Sequence, residues 1–292
     1  MNKLINNLQQ RVPLSHVYLP EDVDAEVLLP VLADIGSTNP YYVKQFLSQR
    51  LFKTGIDQDD YYELFSELIM SKPLLPTSAD LIKYNISGIA VTIQETPRLI
   101  SGSGTTGQRT WEAALYLSNW LLSSHKEGLK DKRILELGTG TGLVSLSLLK
   151  SSVDYKRLII TDGDSALIDA LSKNFALNSI KYPNPEISCH CLWWDQDPVP
   201  ESDVIVAADV TYDSRIIPSL VSSIDDGLKT AKEAFIAATV RSEETLQVFD
   251  DELAKKRLDW EVVQQCDKPW ELDQEVWYPS TCPGMKIYRI RK

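Results

Sequence analysis

Apolar residues follow two regimes along the 292-residue chain. In YYVKQFLSQRLF (Val43, Phe46, Leu47, Leu51) and YYELFSELIM (Tyr61, Leu64, Phe65, Leu68, Ile69) they return every three or four positions, which predicts helices packed on one face. Acidic residues open these segments, Glu21-Asp22 with Asp24 and Asp57 with Asp59-Asp60. A docking surface would use such charges, but carboxylates are also favoured at helix N-termini by the macrodipole, which accounts for them more simply. ISGIAVTIQETPRLI then alternates apolar and polar positions around a proline-bearing end, predicting a strand or hairpin that joins two parts of the molecule. Residues 1–100 therefore read as a helical N-terminal extension ending in a strand or hairpin.

From residue 101 strand-like and helix-like segments alternate: RILEL, then GLVSLSLLK; RLIITD, then SALIDALSKNFALN; ISCHCLWW; DVIVAADV, then IIPSLVSSIDDGL; AFIAATV, then EETLQVFDDELAKK. Continuous apolar strands separated by helices predict an α/β fold, a doubly wound and mostly parallel sheet covered on both faces. The last two strands, LDWEVVQQC and MKIYRIRK, have no clear helix between them, which predicts an antiparallel pair at the sheet edge. Residues 101–292 thus form the second domain.

Charge narrows the function. Thirty Lys and Arg against 41 Asp and Glu leave a formal charge of −11, spread over both parts nearly in proportion to length. Such a field repels polyanions, so no nucleic-acid partner is expected, whereas a lysine-bearing protein or a neutral small molecule fits. No run of 18 apolar residues occurs, and polar residues break the opening MNKLINNLQQRVPLSH, so neither a membrane span nor a secretory signal is expected. A cytoplasmic, monomeric protein is the expectation. Cys189, Cys191, Cys266 and Cys282 are too few and too irregular for a disulfide framework, in keeping with a reducing compartment. Cys189-His190-Cys191 invites a metal reading, but no second ligand pair accompanies it; buried strand cysteines and no metal site are expected.

Seven of the 13 glycines fall between positions 102 and 142, and six of them (Gly102, Gly104, Gly107, Gly138, Gly140, Gly142) cluster on either side of a helix predicted from Trp111 to about Leu122. The strand Arg133 to Leu137 runs into Gly138-Thr139-Gly140-Thr141-Gly142 and then a helix, an arrangement that frees backbone N–H groups for a polar ligand. The next strand ends on Asp162, 24 positions beyond Gly138, near the offset at which an acidic residue accepts hydrogen bonds from ribose hydroxyls. Together they point to a nucleoside-bearing cofactor. A dinucleotide fingerprint would need glycine where the chain has Leu143, and the GK[ST] ending of a P-loop is absent.

E-L-G-T-G-T-G in this context resembles motif I of the seven-stranded S-adenosylmethionine-dependent methyltransferases. Gly104 to Ala114 resembles the G-x-x-x-W-x-A-A segment of one branch, the family-16 protein lysine methyltransferases. Trp194 is similar to that branch's tryptophan after the third strand, Asp209-Val210-Thr211-Tyr212 to its D-x-x-Y signature, and Thr239 to Thr245 to the end of its fifth strand. Within the branch, T-T-G-x-x-T-W-x-A-A-L-Y-L, T-V-R-x-x-E-T and the helical extension resemble the eukaryotic elongation factor 2 lysine methyltransferases most closely.

The resemblance implies a Rossmann-like seven-stranded sheet and S-adenosyl-L-methionine as cofactor, held by Trp111, Gly138, Thr139, Gly140, Asp162, Trp194 and Ala208. It implies methyl transfer to a protein lysine, with elongation factor 2 as substrate and Asp209 and Tyr212 holding or bordering the amine. A neutral amine displaces the methyl group in line, so the lysine must lose its proton and be aimed. The competing structural role has Asp209 capping the loop after the fourth strand and Tyr212 packing there. Glu136, ending an apolar strand, needs buried partners and is expected to order the glycine loop from beneath. A small-molecule N- or O-methyltransferase, or an adapter that binds cofactor without turnover, would share the same cofactor site.

Overall fold

Residues 1–55, 59–99, 101–102, 105–272 and 275–292 are described by a computed structural model; Asp57, Ile100 and Gly104 lie outside them. The extension contains α1 (Asn2–Gln9), α2 (Ala25–Thr38), α3 (Pro40–Phe46) and α4 (Asp59–Leu68), followed by β1 (Asp80–Ile86) and β2 (Ile89–Glu95). The acidic openings sit at helix N-termini. The Asp24 side chain accepts the Glu26 N–H at 3.0 Å and caps α2, and Asp59 and Asp60 lie in the first turn of α4. The helical spacing gives these helices a core of their own, built on Leu4, Leu8, Leu32, Ile35, Phe46, Leu51 and Tyr61. One position departs from it: α4 ends at Leu68, so Ile69 leaves the packed face and is 53% exposed.

The strand expected before residue 100 is a hairpin, with β1 antiparallel to β2. Its Ile82, Tyr84, Ile86, Val91 and Ile93 join the same buried cluster as one face of the large sheet. Two asparagines of α7 (Ser165–Leu177) and its C-terminal cap complete β2's open edge: Asn174 Oδ1 accepts the Gln94 N–H and Asn178 Oδ1 the Thr92 N–H, both at 2.9 Å.

The large sheet comprises β3 (Arg133–Leu137), β4 (Arg157–Asp162), β5 (Ile187–Cys191), β6 (Val204–Ala208), β7 (Glu233–Thr239), β8 (Asp259–Cys266) and β9 (Met285–Arg291) in the order β5-β4-β3-β6-β7-β9-β8. The first five pair in parallel. The terminal pair is antiparallel as expected, with β9 inserted between β7 and the edge strand β8. This is the Rossmann-like methyltransferase sheet. Alternation along the strands divides their side chains between two layers. Ile134, Leu158, Ile160 and Val206 face α5 (Glu112–Ser123), α6 (Leu143–Lys150) and α7, while Leu135, Ile159, Ile205 and Ala207 face α8 (Ile217–Gly227) and α9 (Glu243–Lys255). Strand order reverses between β3 and β6, so their carboxyl ends, followed by Gly138 and Asp209, open the crevice in which such sheets bind ligands. Among the described residues no helix is long and apolar enough to cross a membrane.

Candidate active site

At that crevice lies a cleft of about 790 Å³, large enough for a nucleoside cofactor. Trp111, Gly138, Thr139, Gly140, Asp162, Trp194, Ala208, Asp209 and Tyr212 all line it. Its floor is the turn between β3 and α6. Gly138 and Gly140 sit at φ +66° and +54°, in the left-handed region that a side chain disfavours. A Cβ on Gly138 would stand 2.8 Å from Val210 Cγ1, and one on Gly140 would meet the Gly107 backbone at 3.4 Å. Glycine therefore gives the chain both its turn and its open floor.

Asp162 closes the end of β4. Its two carboxylate oxygens accept the Gly140 N–H at 2.9 Å and the Asp164 N–H at 3.0 Å, which leaves acceptor capacity facing the cleft. Burial raises its pKa, and these backbone donors oppose the rise. Beneath the loop, Glu136 is 2% exposed and accepts from the Ser145 hydroxyl of α6, while Thr161 Oγ1 donates to the Glu136 carbonyl at 2.6 Å. Burial pushes the Glu136 carboxyl up to about 7, against the Ser145 hydrogen bond. A pKa raised on folding stabilises the protein fully below the ordinary 4.5, and that contribution is lost as pH rises through about 7. Glu136→Gln, which keeps an acceptor for Ser145, should therefore gain melting temperature over the parent at pH 8 but not at pH 4, a differential of about 3 kcal/mol. A difference that stays constant across pH would disprove the assignment.

One wall is a strap formed by residues 105–111. The Trp111 indole N–H donates to the Thr106 carbonyl at 2.9 Å, Thr110 N–H to the buried Glu95 carboxylate at 2.6 Å, and the Thr110 and Thr141 hydroxyls share a 2.8 Å hydrogen bond. The strap is thereby fixed to both the hairpin and the glycine loop. Burial raises the Glu95 pKa, with Thr110 and Tyr84 as opposing donors. Opposite the strap, Trp194 packs on the second core layer and Trp193 is 57% exposed at the rim.

Asp209 follows β6 at φ +56°, held by its N–H to the Ala237 carbonyl at 2.8 Å. Its carboxylate, 4% exposed, pairs with Arg241 at 2.7 and 2.9 Å, and the Arg241 guanidinium also lies 4.9 Å from the Trp111 ring centre. Tyr212, 50% exposed, borders the same end. Sequence motifs contained Arg241 and Trp193 without assigning them a role. Their one signal was position, since both lie just beyond carboxyl ends of sheet strands. Cys191 corrects an expectation: it is exposed and lines the cleft, because β5 is an edge strand whose end opens there, and Cys189 is only half-buried.

Residues 93–256 match the sequence model of the Lysine methyltransferase family. The chain belongs to that family. As a lysine methyltransferase it is 33% identical to the protein-lysine N-methyltransferase EFM3 of Saccharomyces cerevisiae, over 88% of this chain and 87% of that one. It is 32% identical to the human protein-lysine N-methyltransferase EEF2KMT, over 76% and 72% of the respective chains. The solved structure of SMU.776 in complex with SAH superposes with a TM-score of 0.51 at 12% identity, covering 80% of this chain and 65% of that one, a likeness of fold. The enzyme is an S-adenosylmethionine-dependent lysine methyltransferase, and the open glycine floor and the acceptor at Asp162 suit that cofactor. Bound there, it supplies a methyl group activated on a sulfonium.

Proposed function

We propose that this lysine methyltransferase modifies a lysine of elongation factor 2, working as a monomer in the cytoplasm. The observation that carries the reading is the extent of the likeness. Similarity to EFM3 covers 88% of the chain, so it embraces the N-terminal extension as well as the cofactor domain that many unrelated methyltransferases share. The extension is also tied to the core near β9's approach, where Gln10 donates to the Glu275 carbonyl and accepts the Trp277 N–H.

Within the site, Gly138 to Gly140 admit the methionine and ribose portions, Asp162 takes the ribose hydroxyls, Ala208 borders the cofactor, and Trp194 covers an adenine face. Trp111 closes the strap over it. Asp209 and Tyr212 border the lysine amine, Tyr212 through its exposed phenol. Mass spectrometry of elongation factor 2 from cells lacking the enzyme is the test. One lysine should lose its methyl groups and regain them when the purified enzyme and cofactor are added. An unchanged methylation pattern would refute this substrate, and label confined to small metabolites in a lysate would refute a protein substrate altogether.

A further inference from the structure

The acceptor positions of the Asp209 carboxylate are taken up by the chain's own donors. Arg241 Nη1 and Nη2 donate at 2.7 and 2.9 Å, Thr239 Oγ1 at 3.0 Å and the Thr239 N–H at 3.4 Å. Arg241 continues to Glu112, whose Oε2 lies 3.4 Å from Nη2, and the other Glu112 oxygen holds Arg109 at 3.0 Å. Both guanidinium groups lie over the Trp111 ring, at 4.3 Å for Arg109 and 4.9 Å for Arg241. Asp209 and Arg109, which line the cleft, are thus the two ends of a chain of alternating charges, Asp209, Arg241, Glu112 and Arg109, that sums to zero.

We propose that Arg241 is a positioning residue for methyl transfer, screening Asp209 so that the target lysine meets a neutralised carboxylate and can shed its proton. The inference rests on the amine lying beside Asp209 and Tyr212. A lysine nucleophile must be neutral, and its ordinary pKa of about 10.4 already opposes that near neutral pH. An unpaired carboxylate within about 4–6 Å would hold the ammonium more firmly, by roughly 1–3 units. Pairing with a guanidinium cancels that pull while the bidentate geometry keeps the loop after β6 in place. The amine first releases its proton to solvent. Its lone pair then forms the N–C bond as the C–S bond breaks with its electrons left on sulfur, and the product is a methylated ammonium.

The other groups around this pair do not replace Arg241. Glu112 and Arg109 hold each other; Cys282 is buried and its thiol is pushed up to about 12 by that burial, with Glu112 adding to the rise. Burial likewise raises the Tyr278 phenol well above its ordinary range, Tyr212 lies at the rim, and Asp162 lines the same cleft at the end of β4.

The test uses the full-length enzyme and, as acceptor, the protein band that the parent enzyme labels in a lysate of cells lacking it. Single-turnover rates with enzyme in saturating excess report methyl transfer within the enzyme–acceptor complex against pH, and so the ionisation of the bound amine. For Arg241→Gln the rising alkaline limb should move up by about one unit, which is about a tenfold loss near neutrality that recovers at high pH. Arg241→Lys should keep the parent's limb, and Asp209→Asn/Arg241→Gln should return it to the parent's position. Calorimetric cofactor affinity and melting temperature, taken on the same variants, separate a screening role from loss of a brace. If Arg241→Gln lowers the rate by one factor at every pH while Asp209→Asn also impairs transfer, the amine stands at Asp209 and the screening role is overturned. If Asp209→Asn leaves both rate and limb untouched, the amine lies elsewhere and the inference falls with that reading.

Discussion

Gly138→Val should weaken cofactor binding about a hundredfold while leaving the sheet folded. Gly138 lies at φ +66°, where an L-residue costs about 1–2 kcal/mol and a β-branched one is an outlier. Its Cβ would also approach Val210 Cγ1 to 2.8 Å and Trp194 Cζ2 to 3.4 Å. The backbone relieves both only by shifting the loop that Thr139 and Gly140 anchor to β4, through the Thr139 N–H to the Thr161 carbonyl and the Gly140 N–H to Asp162, each at 2.9 Å. The floor and Trp194 then move together. An effect of roughly 3 kcal/mol corresponds to about a hundredfold loss of affinity. Gly138→Ala, with the same backbone conflict but a smaller side chain, should fall between the parent and the valine variant. Isothermal titration with S-adenosylmethionine measures the affinity and far-ultraviolet circular dichroism checks the fold. Valine binding within tenfold of the parent would show that the loop yields without cost.

Most of the fold was legible because its determinants are local. The continuous apolar runs of RILEL and VIVAA, with their flanking helical stretches, state strands covered on both faces, and the sheet places Ile134 and Leu135 on opposite faces accordingly. The glycine run and Asp162 were legible for the same reason, since a turn after a strand and an acid ending the next are short-range patterns. Strand order among β7, β8 and β9 is different. Which neighbour β9 chooses is decided by pairing across the chain, and no spacing in MKIYRIRK announces insertion between β7 and β8. The β1 strand alternates buried Ile82, Tyr84 and Ile86 with Lys83 and Asn85, the two-residue period of a half-buried strand. The pairing of Arg241 with Asp209, 32 positions earlier, and with Glu112, 129 earlier, depends on three separate segments converging. Sequence could offer only its place beyond a strand end. The exposure of Cys191 was hidden similarly, because an apolar strand does not declare whether it lies at the edge.

Asp80→Ala should loosen the helices of the N-terminal extension from the hairpin that packs them onto the catalytic core. Asp80, 4% exposed, begins β1 and is the point at which extension and hairpin share a buried charge. Arg11 Nε and Nη2 donate to it at 3.2 Å each, Asn39 Nδ2 at 2.6 Å and the Leu81 N–H at 2.7 Å. Arg11 also donates to the carbonyls of Leu8, Gln9 and Leu81, so removal of the carboxylate leaves its charge fixed in a largely buried setting without a counterion. Breaking a buried pair from one side costs about 3–5 kcal/mol, whereas replacing both partners with apolar groups is often close to neutral. Because the extension has its own core, that loss should fall mainly on it. Calorimetry should then show an early transition lowered by roughly 20 °C, taking about 4–8 °C per kcal/mol for a unit of this size, while the later melting of the sheet changes little. Arg11→Met/Asp80→Leu should restore most of the early transition. A shift common to both transitions would mean that extension and sheet unfold as one unit, and a negligible shift would mean that solvent reaches Arg11 and relieves its charge.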